Sequence, residues 1–199
     1  MLPRWWPAVG LAVGLGVGVA TSYLQGVVPG SWNTLANSGA VWTVIAFGVA
    51  AALVTTPATT VATGLTTLLG EVFGYYAIAA HVRGIATSSS ERGLWVVAAI
   101  VIGPLAGVAA WLVRRGRPSA RAAAALAVCG VVAGEGVHGV LRVSSSSAAA
   151  WTEIVVAGAV AIVVLAMTSA ALRARVAALL VGALVALVVV AVYGETALR

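Results

Sequence analysis

The chain has 199 residues, of which 62% are hydrophobic and 8% charged, with a net charge of +6 carried by eleven arginines and five glutamates. Soluble domains carry about 25% charged residues, and a soluble fold of this length could not cover so much apolar side chain with polar surface, so lipid is the solvent expected for most of it. The arginines sit mostly at the ends of apolar runs, where they fix orientation, which argues against nucleic acid as a partner.

In lipid every backbone polar group must be satisfied within the chain, and these runs lack the period-two alternation of a barrel, so an all-α integral membrane helical bundle is expected. The first span lies near 6–24. Arg4 before it and Gly18-Val19-Ala20 within it resemble a signal peptide and its cleavage site, but the run is read as a retained anchor. Gly10, Gly14 and Gly18 repeat at four-residue spacing, which lets another helix approach closely and offers a face to a membrane partner subunit. The uncharged connection 27–39 carries Trp32, Asn33 and Asn37 and has the composition of a lid. Asn37-Ser38 is a start signal for the second span, near 40–56. Pro57 breaks the next run, because one helix over 40–82 would be about 64 Å long, twice the hydrocarbon thickness.

The third span is placed near 61–82. The fourth, near 94–113, follows a Ser-rich stretch. RRGRPSAR, residues 114–121, leads to the fifth, near 121–142, and SSSSAAA, residues 144–150, to the sixth, near 151–172. A tight turn at Arg173-Ala174-Arg175 opens the seventh, near 175–193. The seven spans are read as one transmembrane domain over 1–199. With the amino terminus inside, seven arginines (Arg4, Arg114, Arg115, Arg117, Arg121, Arg173, Arg175) are cytoplasmic and four (Arg83, Arg92, Arg142, Arg199) are outside, favouring N-in/C-out in a bacterial inner membrane. The tryptophans, Trp42 and Trp151 among them, then fall near the two interfaces. A faint repeat pairs Trp42, Trp95 and Trp151 with returning Gly-Glu pairs at Gly70-Glu71, Gly134-Glu135 and Gly194-Glu195.

Burying a carboxylate in a span costs about 2.5–3.5 kcal/mol or more, so the intramembrane acids mark candidate chemistry. Glu71 and Glu135 fall within spans, whereas Glu91 and Glu153 are placed in outer loops or interfaces. Glu71 and Tyr75, four residues apart, share a helical face, with Tyr76 beside them. Glu135, His138 and Arg142 recur at steps of three and four as one polar stripe, and Glu135 and His138 are expected to form a coupled pair. The simplest arrangement points the two sets at each other around an outward-facing cavity, closed by the loop carrying Trp32, Asn33 and Asn37. Cys129 stands alone, no HExxH pattern occurs, and Walker, Rossmann and GxSxG motifs are missing, so no metal, cofactor or nucleophilic catalysis is expected.

LANSGAVW (Leu35–Trp42), with the preceding QGVVPG and the later LLGEVFGYY, resembles an uncharacterised family of small bacterial polytopic membrane proteins. More remotely, the size, the small-residue first helix and the outer first loop are similar to substrate-binding subunits of energy-coupling-factor vitamin importers, which typically have six spans where seven are counted here. The reading that follows is a membrane-embedded small-molecule binding or transport component, its partners the lipid bilayer and a small-molecule ligand. The alternatives are a structural or accessory membrane subunit, or a membrane enzyme acting on a lipid-linked substrate with Glu135 and His138 as acid–base groups.

Overall fold

The computed structural model describes residues 5–143, 147–168 and 170–196 and is all-α among them. The helices are α1 (Trp6–Leu24), α2 (Gly30–Asn33), α3 (Gly39–Ala52), α4 (Pro57–His81), α5 (Ser89–Arg115), α6 (Pro118–Arg142), α7 (Ser147–Met167) and α8 (Leu172–Thr196), with a 3-10 turn at Thr34–Asn37. Helices α1, α5, α6, α7 and α8 are long and apolar enough to cross a membrane, and Gly30–Ala36 with Gly39–Ala52, bent by 42°, qualifies jointly. The protein is a multi-pass membrane protein.

Start and stop signals explain most boundaries. Thr56 caps α4, its hydroxyl accepting the Thr59 N–H at 3.2 Å, with Pro57 in the first turn where its missing N–H costs nothing. At the other end Gly84 takes the left-handed conformation (φ 62°), which lets the Ile85 N–H reach back to the Ala79 carbonyl. The connection before α8 differs from expectation. Helix α8 already begins at Leu172, so Arg173 and Arg175 lie in its first turn. Arg175 folds back to donate from Nε to the Ala170 carbonyl and from Nη2 to the Thr168 carbonyl, satisfying acceptors that the end of α7 leaves free.

The chain forms two compact units. The first contains α1, α3 from Trp42 onward, α4 and α5. Helix α4 is its most buried element, and protein covers much of it, which accommodates its five threonines, while Phe73 stays exposed. Three of them bond back to the carbonyl four residues earlier: Thr60 to Thr56, Thr63 to Thr59, Thr67 to Thr63. Gly10, Gly14 and Gly18 of α1 lie directly on the α4 backbone around Thr63, Thr67 and Glu71. The face that these glycines offer to a partner subunit is thus taken by α4 of the same chain. Gly64 of α4 meets Gly103 and Gly107 of α5 in the same manner. Trp42, expected at an interface, is 3% exposed and packs against Tyr75 and Trp95 in this unit's core.

The second unit holds residues 29–41 and 115–199 and is built on α6. Gly130 and Gly134 admit α8 at Gly182, Ala186 and Val189, while Gly136 and Gly139 admit α7 at Ala150 and Glu153. At 3.6 residues per turn, Gly130 and Gly134 fall within about 40° of each other, and Gly136 and Gly139 at about 180–240° from Gly130. Glu135, His138 and Arg142 fall at about 80–140°, in the groove between the two neighbours.

Candidate functional site

That groove holds a cleft of about 190 Å³, lined by Thr34, Glu135, His138, Gly139, Val143, Ala150, Glu153 and Tyr193. Helix α6 supplies Glu135 and His138, α7 supplies Glu153, α8 supplies Tyr193, and the turn before α3 supplies Thr34. The tight seams described above set this geometry, since Gly136 brings the first turns of α7 against α6 and Gly134 does the same for α8.

The start of α3 is anchored here. A helix leaves its first N–H groups without partners, and in a mostly apolar setting each needs an acceptor. The Gly39 N–H donates to the Tyr193 hydroxyl. The Ala40 N–H donates to Glu135 Oε2 at 2.8 Å, and the Val41 N–H to the Ser38 hydroxyl at 2.9 Å. Ser38 is therefore the cap that the sequence signals, and Glu135 places a carboxylate at the positive end of the helix dipole. Tyr193 donates its own O–H to the same Oε2 at 2.8 Å, and Ser38 hydrogen-bonds Glu153.

His138 is 8% exposed and its ring lies 5.3 Å from that of Tyr193. Its Nδ1 is buried with no hydrogen-bond partner among the described residues. The expected Glu135–His138 pairing takes a different form, because Glu135 is hydrogen-bonded to Tyr193 and Ala40 and acts on His138 through its charge. Arg142 is exposed and outside the cleft lining, contributing charge near His138.

Glu153, which the sequence reading places in a loop or interface, lies inside α7 and is 8% exposed. Tyr193 was also missed, as were Ser38 and Thr34 as site residues. The absence of charge hid Tyr193, and Glu153 looked peripheral because α7 starts earlier than its apolar run. Trp32 is exposed and Asn33 half-buried, and neither lines the cleft, although Thr34 beside them does. The side chain of Asn37 lies outside the described residues.

In the first unit, Glu71 is 0% exposed and neither carboxylate oxygen has a hydrogen-bond partner among the described residues. Tyr75 donates to Gln25 Oε1 at 2.7 Å, and Tyr76 reaches Glu91 Oε1 at 3.3 Å. These tyrosines therefore belong to a polar cluster at the end of α4, which also contains Arg83 bonded to the Ser22 carbonyl. Among the described residues no group of three His, Cys, Asp or Glu side chains could hold a metal ion.

A family model covers residues 3–198. The chain belongs to DUF6518, a family of unknown function. That agrees with the resemblance of the Leu35–Trp42 motif to an uncharacterised family. No curated protein and no solved structure matches it. For this DUF6518 chain, function has to be argued from the cleft itself.

Proposed function

We propose that this protein is a membrane-embedded binding or transport component that takes a small polar solute in the cleft between α6, α7 and α8. The observation that carries this reading is Glu153, nine-tenths buried beside a second carboxylate, Glu135, in a cleft whose lining is largely apolar but also holds Thr34, His138 and Tyr193. A chain with five acids places two of them in one small cleft, at a cost that a functional site explains. The volume matches about six waters at about 30 Å³ each, so the solute is small. Seven spans with the amino terminus inside, in a bacterial inner membrane, complete this reading. The cleft then opens toward the outer side, as in the vitamin-importer subunits that the sequence remotely resembles.

A second reading, an accessory subunit whose polar groups only hold helices together, is favoured by the engagement of Glu135 Oε2 with the start of α3. Glu135→Gln and His138→Ala separate the two. Purified protein is screened against small amines, carboxylates, sugars and nucleosides by thermal shift, and each hit is repeated on both variants. The binding reading expects hits that both variants lose while remaining folded. Destabilised variants that retain every hit would reject it.

A further inference from the structure

Of the features outside this cleft, the aromatic cluster of Trp42, Tyr75, Tyr76 and Trp95 is packed ring against ring, and the carboxylate of buried Glu71 has no hydrogen-bond partner among the described residues. The cleft's own chemistry carries further. We infer that its solute is a small protonated primary amine, free in solution or carried on a lipid headgroup, an inference that rests on the binding reading above.

Donors and acceptors in the cleft are out of balance. The Tyr193 hydroxyl donates to Glu135 and accepts from Gly39, so its strongest capacities are used. Ser38 accepts from Val41 and bonds Glu153. Among the described residues no hydrogen bond reaches Glu135 Oε1, and the single Ser38 hydroxyl leaves acceptor capacity on Glu153, whose oxygens, like those of Glu135, only accept when ionised. Thr34 and His138 can each add one donor, against several carboxylate lone pairs. An occupant must therefore bring donors, and an ammonium group brings three.

Charge points the same way. The charged neighbour of Glu153 is Glu135, a like charge, and no arginine lines the cleft. An anion entering this space meets two carboxylates and is rejected, whereas a cation between them relieves their repulsion. The cation is held by hydrogen bonds rather than by coordination, because no metal-ligating triad forms among the described residues. The volume, about six waters at about 30 Å³ each, admits an ammonium group on a short chain of a few heavy atoms.

The test uses the full chain in nanodiscs of phosphatidylcholine, which lacks a primary amine. Methylammonium chloride, sodium acetate, methanol and sodium chloride are titrated at matched ionic strength while the melting temperature is read. Methylammonium should raise it saturably, and the other three should not. Glu153→Gln, which keeps an acceptor for Ser38, should weaken methylammonium by about tenfold or more. Nanodiscs containing phosphatidylethanolamine identify the source: a rise there that removes the methylammonium response assigns the site to a headgroup, and an unchanged response assigns it to a free amine. An equal response to acetate or methanol overturns the amine assignment, as does methylammonium bound equally by wild type and Glu153→Gln. A neutral or anionic screen hit that needs Glu135 would sink the amine and leave the binding reading standing. A screen without any hit would end both.

Discussion

Replacing Gly134 by alanine tests the packing that builds the cleft. A Cβ at this position would stand 2.7 Å from the Ala186 carbonyl oxygen, 2.8 Å from Val189 Cβ and 3.0 Å from Ala186 Cα. Ordinary contact needs about 3.4 Å or more, and neither backbone nor a β carbon can rotate aside, so α8 must retreat by about 0.7 Å. Overpacking of this kind costs about 1–3 kcal/mol, and alanine returns about 1 kcal/mol in helix propensity. Gly158 of α7 is the control, because a Cβ there meets nothing within 4 Å and collects only the propensity gain. The two variants should differ by about 1–3 kcal/mol, or several degrees in melting temperature for a chain of this length. The same retreat would lengthen the Tyr193–Glu135 bond from 2.8 Å to about 3.5 Å, past useful hydrogen bonding. Thermal unfolding in one detergent measures the first effect, and near-ultraviolet circular dichroism of the tyrosine follows the second. If Gly134→Ala melts as high as Gly158→Ala, α8 is not seated on α6 in this way and the placement of Tyr193 fails with it.

Glu71→Met removes a buried carboxylate that has no hydrogen-bond partner among the described residues, so the melting temperature should rise; a fall would show that the carboxylate is engaged. Tyr193→Phe keeps the ring beside His138 but deletes the hydroxyl between Gly39 and Glu135, and should cost about 1–3 kcal/mol by thermal unfolding. Combining it with Glu135→Gln should cost less than the sum of the two, since both act on one network, and simple additivity would contradict the shared bond. For orientation, single cysteines on a Cys129→Ser background should label only from the cytoplasm within 114–121 and only from outside within 144–147; labelling of both from one side would reject the seven-span arrangement.

Much of the fold was legible because long apolar runs in lipid admit few structures. Pro57, Ser38 and the Arg-rich segment 114–121 marked real helix boundaries. The Glu135–His138 stripe was legible too, since helical periodicity alone puts both residues on one face. What periodicity cannot supply is the neighbour. Gly130, Gly136 and Gly139 were unremarkable among 23 glycines and Gly134 stood out only in a Gly-Glu pair, yet their spacing decides which faces of α6 receive α8 and α7. Two of the three Gly-Glu pairs share this logic: Gly70 seats α4 against Leu11 and Leu15 of α1, and Gly134 seats α6 against α8, whereas a Cβ at Gly194 meets nothing within 4 Å. The tryptophans of that apparent repeat do not share one, with Trp42 in a core and Trp151 exposed. Trp42 misled because an aromatic at a span start resembles an interface anchor whether or not a neighbouring helix covers it.

Helix anchoring explains the cleft only as far as the start of α3 requires acceptors. Three N–H groups need partners, and Tyr193, Glu135 and Ser38 supply one each. Anchoring therefore accounts for Glu135, whose carboxylate also suits the positive end of the helix dipole. It does not account for Glu153. Among the described residues that side chain is hydrogen-bonded to the network through Ser38, whose hydroxyl would cap Val41 without it. A helix cap also gains nothing from a second carboxylate beside the first, since like charges in a partly dry space oppose each other. An alanine or leucine in place of Glu153 would serve the fold at lower cost. The excess acid is thus what the structural role leaves unexplained, and a cationic occupant explains it by supplying the charge and the donors that the cleft lacks.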